Sequence, residues 1–274
     1  MTLREALRGA AQRLEGVSDT PRLDAELLAA FALGCDRNTL LLHHLDGEAP
    51  AAFDGLIARR LASEPVAYIT GIRDFWSLRL MVAPGVLIPR PDSETLIEAA
   101  LRHFGAVPPR SILDLGTGSG ALLLAALSEF PEAMGQGIDR SATALAIATE
   151  NARQNGLADR AAFHAGNWAE GVDGLFDLIL CNPPYIEEAS VLPRDVVGYE
   201  PAEALFAGAD GLDDYRKLAP QIARLLEPAG CACIEIGHDQ GGTASPLFRA
   251  EELNVTVLKD LGGRDRCLVM TKIP

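Results

Sequence analysis

From Ser111 onward, short apolar runs alternate with amphipathic stretches, and this alternation restricts the fold more than any other feature of the chain. Strands are expected at about 111–115, 134–138, 160–164, 176–181, 231–236, 255–259 and 267–271. Helices are expected from Ser119, over 141–154, near 213–226 and near 243–250. Strands that alternate with helices in this way predict an α/β domain, a mainly parallel seven-stranded sheet with helices on both faces. Ligands of such sheets sit at the carboxyl ends of the strands, near the point where strand order reverses.

Upstream the periodicity is different. Leu3, Ala6, Leu7, Ala10 and Leu14 recur at intervals of three and four, and Leu23, Leu27, Leu28 and Phe31 do so after Thr20-Pro21. With further helical runs at about 37–43 and 51–61, residues 2–62 read as a small helical bundle. No metal site is expected in it: His43 and His44 point in different directions on a helix, and no carboxylate or thiol completes a set at ligand spacing. Between Tyr68 and Ile88 the pattern changes to alternation, with Phe75, Leu78, Leu80, Val82 and a Pro84-Gly85 break, as in a β-hairpin. Then Ile88-Pro89-Arg90-Pro91-Asp92-Ser93-Glu94 places two prolines in an extended segment before a helix, with Asp92 or Ser93 expected as its N-cap. The resulting division is a helical bundle at 1–67, a hairpin linker at 68–88 and the α/β domain at 89–274.

Charge bears on the partner. The 274 residues carry a formal net charge of −14; the first 85 account for −2 and the rest for −12. Such a balance opposes non-specific attraction to a phosphate backbone. Hydrophobic residues make up 48%, enough for a sizeable core, yet no run approaches the roughly 18 apolar residues needed to span a bilayer. The start, Met1-Thr2-Leu3-Arg4-Glu5, lacks the apolar segment of a signal peptide, so a cytoplasmic protein is expected. Cys35, Cys181, Cys231, Cys233 and Cys267 are odd in number and lack paired C-x-x-C spacing, and read as reduced thiols, four of them in strand-like runs.

Four strings at strand ends carry chemistry. The first strand runs into Asp114-Leu115-Gly116-Thr117-Gly118-Ser119-Gly120, a turn that lets backbone approach a ligand without Cβ atoms in the way. Its G-x-G-x-G spacing differs from the dinucleotide G-x-G-x-x-G, and no Gly-Lys-Ser/Thr follows to hold phosphates. The second strand ends at Asp139, a carboxylate suited to the two hydroxyls of a ribose. After the third come Asn167 and Trp168, an amide and an indole for an adenine edge and face, unless the tryptophan is simply core. The fourth closes on Asn182-Pro183-Pro184-Tyr185, where two prolines stiffen a loop that offers the Asn182 side-chain carbonyl and the Pro183 backbone carbonyl to an NH₂ group. Tyr185 adds a flat face for a planar amide or base.

Together, Gly116 to Gly120, Asp139 and Asn182 to Tyr185 resemble the Rossmann-like class I methyltransferases that use S-adenosylmethionine to methylate a planar nitrogen. With Leu87 to Glu94, with Thr70-Gly71-Ile72-Arg73-Asp74-Phe75-Trp76 and with the N-terminal helices, the chain is similar to the HemK/PrmC protein-glutamine methyltransferases over nearly its whole length. The resemblance implies methylation of the side-chain amide nitrogen (N5) of the glutamine in the Gly-Gly-Gln motif of peptide chain release factors, with S-adenosylhomocysteine as the other product. It assigns Gly116, Thr117, Gly118, Ser119, Gly120, Asp139, Asn167, Trp168 and Asn182 to the cofactor. Asn182, Pro183, Pro184, Tyr185, Leu87 and Arg90 fall to the substrate, and Asn182, Pro183 and Tyr185 to catalysis. Asn167 stands where relatives often carry an acidic residue. Direct in-line transfer without a separate general base is expected; His238, after Glu235-Ile236-Gly237, reads as structural. A monomer acting on release factors, with no membrane and no direct nucleic-acid partner, is the implied setting.

Two other readings share these motifs. An adenine-N6 methyltransferase acting on DNA or RNA also needs acceptors for an NH₂ group and a ring to stack on, but a −12 domain lacks the basic groove of a duplex reader. A cofactor-binding regulator without catalysis fits poorly with an intact acceptor loop. The acidity instead suits a basic partner surface, with Glu187, Glu188 and Asp195 near the acceptor loop expected to face it.

Overall fold

Residues 1–273, those the computed structural model describes, divide into two units: Met1–Ile72 with Leu192–Glu200, and Arg73–Val191 with the chain from Pro201 onward. The first unit contains α1 (Leu3–Leu14), α2 (Pro21–Leu33), α3 (Arg37–His43), α4 (Phe53–Leu61) and α5 (Val66–Thr70). Thr2 opens α1 in a capping box: its hydroxyl accepts the Glu5 amide while the Glu5 carboxylate accepts the Thr2 amide at 2.9 Å. The expected apolar stripe of α1 is its buried face, all five residues included.

On α2 the expected stripe is not the buried one. Leu28 is buried, but Leu23, Leu27 and Phe31 are 39%, 36% and 43% exposed, and Ala25, Ala29 and Ala30 face inward instead. Two interactions rotate the helix this way. Small alanines let α1 approach closely, and Asp24 is drawn inside by Arg60 of α4, 2.8 Å away and equally buried. The Arg60 guanidinium also reaches Asp195, at 3.4 Å, so a residue expected to face a partner is tied into the helical unit. Buried Glu26 lies between Arg22 and Arg37; burial pushes its carboxyl up, but the two arginine hydrogen bonds outweigh this and hold it below its ordinary value.

A hairpin of β1 (Ile72–Phe75) and β2 (Leu78–Met81) follows, all of it but Ile72 in the second unit. It is shorter than the alternation between 68 and 88 predicts, because Tyr68 and Ile69 belong to α5, which ends on Gly71 in the left-handed conformation at φ +73°. Next come α6 (Glu94–Phe104), β3 (Ser111–Leu115), α7 (Ala121–Glu129), β4 (Met134–Asp139), α8 (Ala142–Gln154), β5 (Ala161–Ala165) and β6 (Phe176–Cys181). After α9 (Arg194–Val197), which lies in the first unit, follow α10 (Asp213–Leu225), β7 (Leu226–Glu235), α11 (Gly241–Arg249), β8 (Leu253–Lys259) and β9 (Asp265–Lys272).

Seven strands form one sheet in the order β5-β4-β3-β6-β7-β9-β8. All are parallel except β9, which runs antiparallel to both neighbours. β7 starts five residues before the expected strand: Leu226 already pairs with Phe176, and the Pro228-to-Gly230 stretch that breaks the sequence pattern is absorbed as an irregularity in the ladder. Apolar layers cover both faces, one built on Leu122 to Leu127 of α7 with Leu96 and Ile97 of α6, the other on Tyr215, Leu218 and Ile222 of α10 with Phe248 of α11. The order reverses beside β3, so the carboxyl ends of β3, β4 and β6 converge at one place.

Candidate active site

At this reversal lies a cavity of about 450 Å³. It brings together Leu87 from the segment after the hairpin, Gly116 and Gly118 after β3, Asp139 at the end of β4, Asn167 and Trp168 after β5, and Asn182 and Pro184 after β6. Four separate strand ends thus contribute to one space, within the usual size range of small-molecule sites.

The glycine turn is built from backbone rather than side chains. Gly116 sits at φ +70°, and a Cβ there would come within 3.0 Å of the Trp168 ring, so both conformation and space require glycine. Gly118, also left-handed at φ +55°, donates its amide to Asp139 at 2.9 Å, and the other Asp139 oxygen accepts the Ser141 amide at 2.8 Å. Each oxygen keeps a lone pair for a further donor. Fully buried Asn151 braces the turn from behind: its amide nitrogen donates to the Ser119 and Met81 carbonyls and its oxygen accepts the Met81 amide. Trp168 itself has φ +52°, a costly conformation for a bulky residue, held by the turn between β5 and the rest of the chain. Asn167 is exposed, and its amide nitrogen is committed to Glu170 at 2.6 Å, which leaves its carbonyl open.

Some residues assigned to the cofactor by resemblance lie behind the cavity wall. Thr117 and Ser119 are buried, with the Thr117 hydroxyl donating to Asp114 at 2.6 Å, and Gly120 caps α7 against Ala148. Asp114 opens the glycine-rich string, but its position there assigns it no role of its own. Burial raises its pKa to about 7, with the Asp139 charge adding to the shift against the Thr117 hydrogen bond, and its Oδ1 is the one buried side-chain polar atom among the described residues without a hydrogen-bond partner.

The Asn182 loop is anchored from below by residues distant in sequence. The Asn182 amide nitrogen donates to the Ser93 hydroxyl at 3.2 Å, and that hydroxyl donates in turn to Glu235, at the end of β7. The Tyr185 hydroxyl reaches the other Glu235 oxygen at 3.1 Å. Burial pushes the Glu235 carboxyl up, partly offset by the Ser93 hydrogen bond and the Arg266 charge; burial and then the Glu235 charge push the Tyr185 phenol up as well. Gln240 completes the support, donating to the Tyr185 carbonyl at 2.9 Å and accepting the Gly237 amide at 3.0 Å. Pro183 and Pro184 are buried.

Ser93 does not cap α6. It has helical φ and ψ of −66° and −17°, and its hydroxyl is taken by the tertiary network, so neither Asp92 nor Ser93 makes the expected side-chain cap. Asp92 instead pairs with Arg266 at 3.3 Å. Arg90 is extended and lies near Arg73, whose pKa is lowered by burial and then by the Arg90 charge. His238 is exposed, and the turn after β7 is held by Gln240 instead. Two further cavity residues had no sequence signal: Asp214, buried on α10, and Lys217, its partner at 2.9 Å.

These residues fit S-adenosylmethionine. Asp139, on the cavity wall, keeps carboxylate lone pairs that suit the adjacent hydroxyls of a ribose. An aromatic ring and an open amide carbonyl at 167–168 suit a purine.

Residues 5–71 match a family model described as the PrmC N-terminal domain, and residues 92–198 one described as the methyltransferase small domain. A release factor glutamine methyltransferase of Rhodospirillum rubrum is 44% identical over 268 residues, covering 96% of this chain and 82% of that protein. One from Caulobacter vibrioides is 41% identical over 282 residues, covering 100% and 98%. Among solved structures, a ribosomal protein L11 methylase from Lactobacillus delbrueckii subsp. bulgaricus aligns at a TM-score of 0.53 and 22% identity, over 70% of this chain and 84% of that one, and shares the fold. Such identity to relatives of one kind over the whole length, on a class I methyltransferase fold, means that the chain belongs to the release factor glutamine methyltransferase family.

Proposed function

We propose that this chain methylates the side-chain amide nitrogen, N5, of the glutamine in the Gly-Gly-Gln motif of peptide chain release factors. One observation carries the reading beyond family membership: Asp139 and the Gly116–Gly118 turn line the same cavity as Asn182, so cofactor groups and acceptor loop share one space. When bound, S-adenosylmethionine supplies an electrophilic methyl group on a sulfonium centre. Gly116, Gly118 and Asp139 hold its methionine and ribose portions, with Asn167 and Trp168 at the adenine. Thr117, Ser119 and Gly120 act from behind, shaping the turn.

An amide nitrogen is a weak nucleophile because its lone pair is delocalised into the carbonyl. The Asn182 side-chain carbonyl and the Pro183 backbone carbonyl accept its two N–H groups, which aims the nitrogen and stabilises positive charge as it develops there. Pro184 and Tyr185 pack on the amide plane, Leu87 and Arg90 line the approach, and the helical unit at 1–67 contributes to recognition of the folded partner. The proton leaves to solvent during or after transfer.

Incubation with methyl-labelled cofactor and unmodified release factor, followed by peptide mass spectrometry, is expected to place one methyl on the motif glutamine. Label in adenine of DNA or RNA, and none in the release factor, would overturn the reading. Asp139→Ala is expected to weaken cofactor binding by about 1–3 kcal/mol, the range for lost hydrogen bonds to a charged group; unchanged affinity in calorimetry excludes the ribose role. Glu187 and Glu188 are exposed near the acceptor loop. If they steer a basic partner surface, the initial rate at subsaturating release factor falls as salt rises, since exposed charges are screened beyond about 8 Å at physiological ionic strength. A flat profile removes them from recognition.

A further inference from the structure

Ser93 and Glu235 lie 142 residues apart, are not among the residues that line the cavity, and meet under the acceptor loop. Their chemistry decides something about Asn182 that the asparagine cannot decide alone. A carboxamide rotated by half a turn occupies nearly the same volume but exchanges its oxygen for its NH₂ group. In one orientation it offers the cavity an acceptor; in the other it offers donors, which repel the N–H groups of a target amide.

The donors and acceptors around Asn182 allow one orientation. Both Glu235 oxygens accept, one from the Tyr185 hydroxyl and one from Ser93, so Glu235 takes the single proton of the Ser93 hydroxyl. That hydroxyl is left with lone pairs only and must accept from its other partner, which is Asn182. The amide nitrogen therefore faces Ser93, at 3.2 Å, and the side-chain oxygen is turned away from it. Ser93 is 3% exposed and Glu235 1%, so water does not compete for either bond. Glu235 is itself held in place: the Tyr185 hydroxyl donates to its second oxygen at 3.1 Å, and the Tyr215 hydroxyl donates to its backbone carbonyl at 3.1 Å.

We infer that Ser93 and Glu235 are positioning residues that lock the carboxamide of Asn182 with its carbonyl toward the target nitrogen. This rests on the proposed acceptor role of Asn182. The P-R-P-D-S segment serves the same lock, because its prolines and the Asp92–Arg266 pair hold the backbone so that the Ser93 hydroxyl points into the sheet rather than along its own helix.

The test compares Ser93→Ala, Ser93→Thr, Asn182→Ala and the Ser93→Ala/Asn182→Ala pair, each checked for native circular dichroism. Ser93→Ala is expected to lower kcat about 10-fold with cofactor affinity unchanged, and Ser93→Thr, which keeps the hydroxyl, to restore it to within about 3-fold. In the Asn182→Ala background, Ser93→Ala should add less than about 2-fold, because residues that act through one another are not additive. Independent losses that multiply, or full activity of Ser93→Ala, would overturn the inference. A second readout does not depend on turnover: in protein labelled with ¹⁵N-asparagine, the Asn182 carboxamide protons should exchange slowly in the wild type and Ser93→Thr, and much faster in Ser93→Ala. Equal exchange in all three refutes the lock, whatever the substrate. Slow exchange that Ser93→Ala abolishes, in an enzyme that leaves release factors unmethylated, retains the lock and refutes the substrate.

Discussion

Asn182→Ala is expected to lower turnover on release factor by about 100-fold or more while the fold persists, the cost of removing one preorganised polar group at a reacting centre. The side chain is half-buried just after β6, and its amide nitrogen donates to Ser93 at 3.2 Å. Losing that bond costs about 1 kcal/mol, too little to unfold a sheet whose central strands are buried on both faces. The expected functional loss is larger because, in the proposed mechanism, the Pro183 carbonyl alone fixes one N–H group and leaves the amide free to rotate. The measurement is kcat at saturating cofactor and release factor, together with a thermal melt. Near-normal turnover in the folded variant would exclude Asn182 as an acceptor for the reacting nitrogen.

The second large effect concerns stability. Arg60→Leu should destabilise the helical unit by about 3–5 kcal/mol, the range for breaking a buried ion pair from one side. Asp24 is 6% exposed and loses its buried guanidinium partner in the variant, while the Thr20 hydroxyl still donates to it at 3.0 Å. The guanidinium also serves the Val17 and Glu64 carbonyls and Asp195, so its removal loosens the contact with the 192–200 segment as well as with α2. Denaturation followed by helical circular dichroism should show an early transition in Arg60→Leu. Combining it with Asp24→Leu should recover part of the loss, since replacing both partners removes the stranded charge. An unchanged midpoint for Arg60→Leu would show that the pair contributes nothing to holding the unit together.

Both effects originate in contacts between residues far apart in sequence, and this separates what was legible in the chain from what was not. The strand and helix order of the second unit was legible because periodicity is a local property: alternating apolar runs bury as strands, three-and-four spacing as helices. The glycine turn, Asp139 and the Asn182 loop were legible because each stands at a strand end, where a parallel sheet gathers its ligand-binding groups. The face of α2 that turns inward was not legible. Leu23, Leu27 and Phe31 carry the stronger apolar signal, but a buried charge pair formed across 36 residues determines the rotation.

The site divides in the same way. That Asn182 carries a carbonyl suited to the proposed acceptor role follows from its residue type and its rigid loop, and the pairing of β6 with β3 brings it beside the glycine turn. Which end of its amide faces the cavity is the part we assign to Ser93 and Glu235, and nothing in the local pattern links either residue to Asn182. Ser93 reads as a helix cap because caps are satisfied by near neighbours. In the folded protein its hydroxyl donates to a buried carboxylate 142 residues away and accepts from the Asn182 amide nitrogen, so both its proton and its lone pair serve the tertiary network and the α6 amides go without a side-chain cap. Sequence determines which groups are available, and tertiary packing determines which of them are desolvated together.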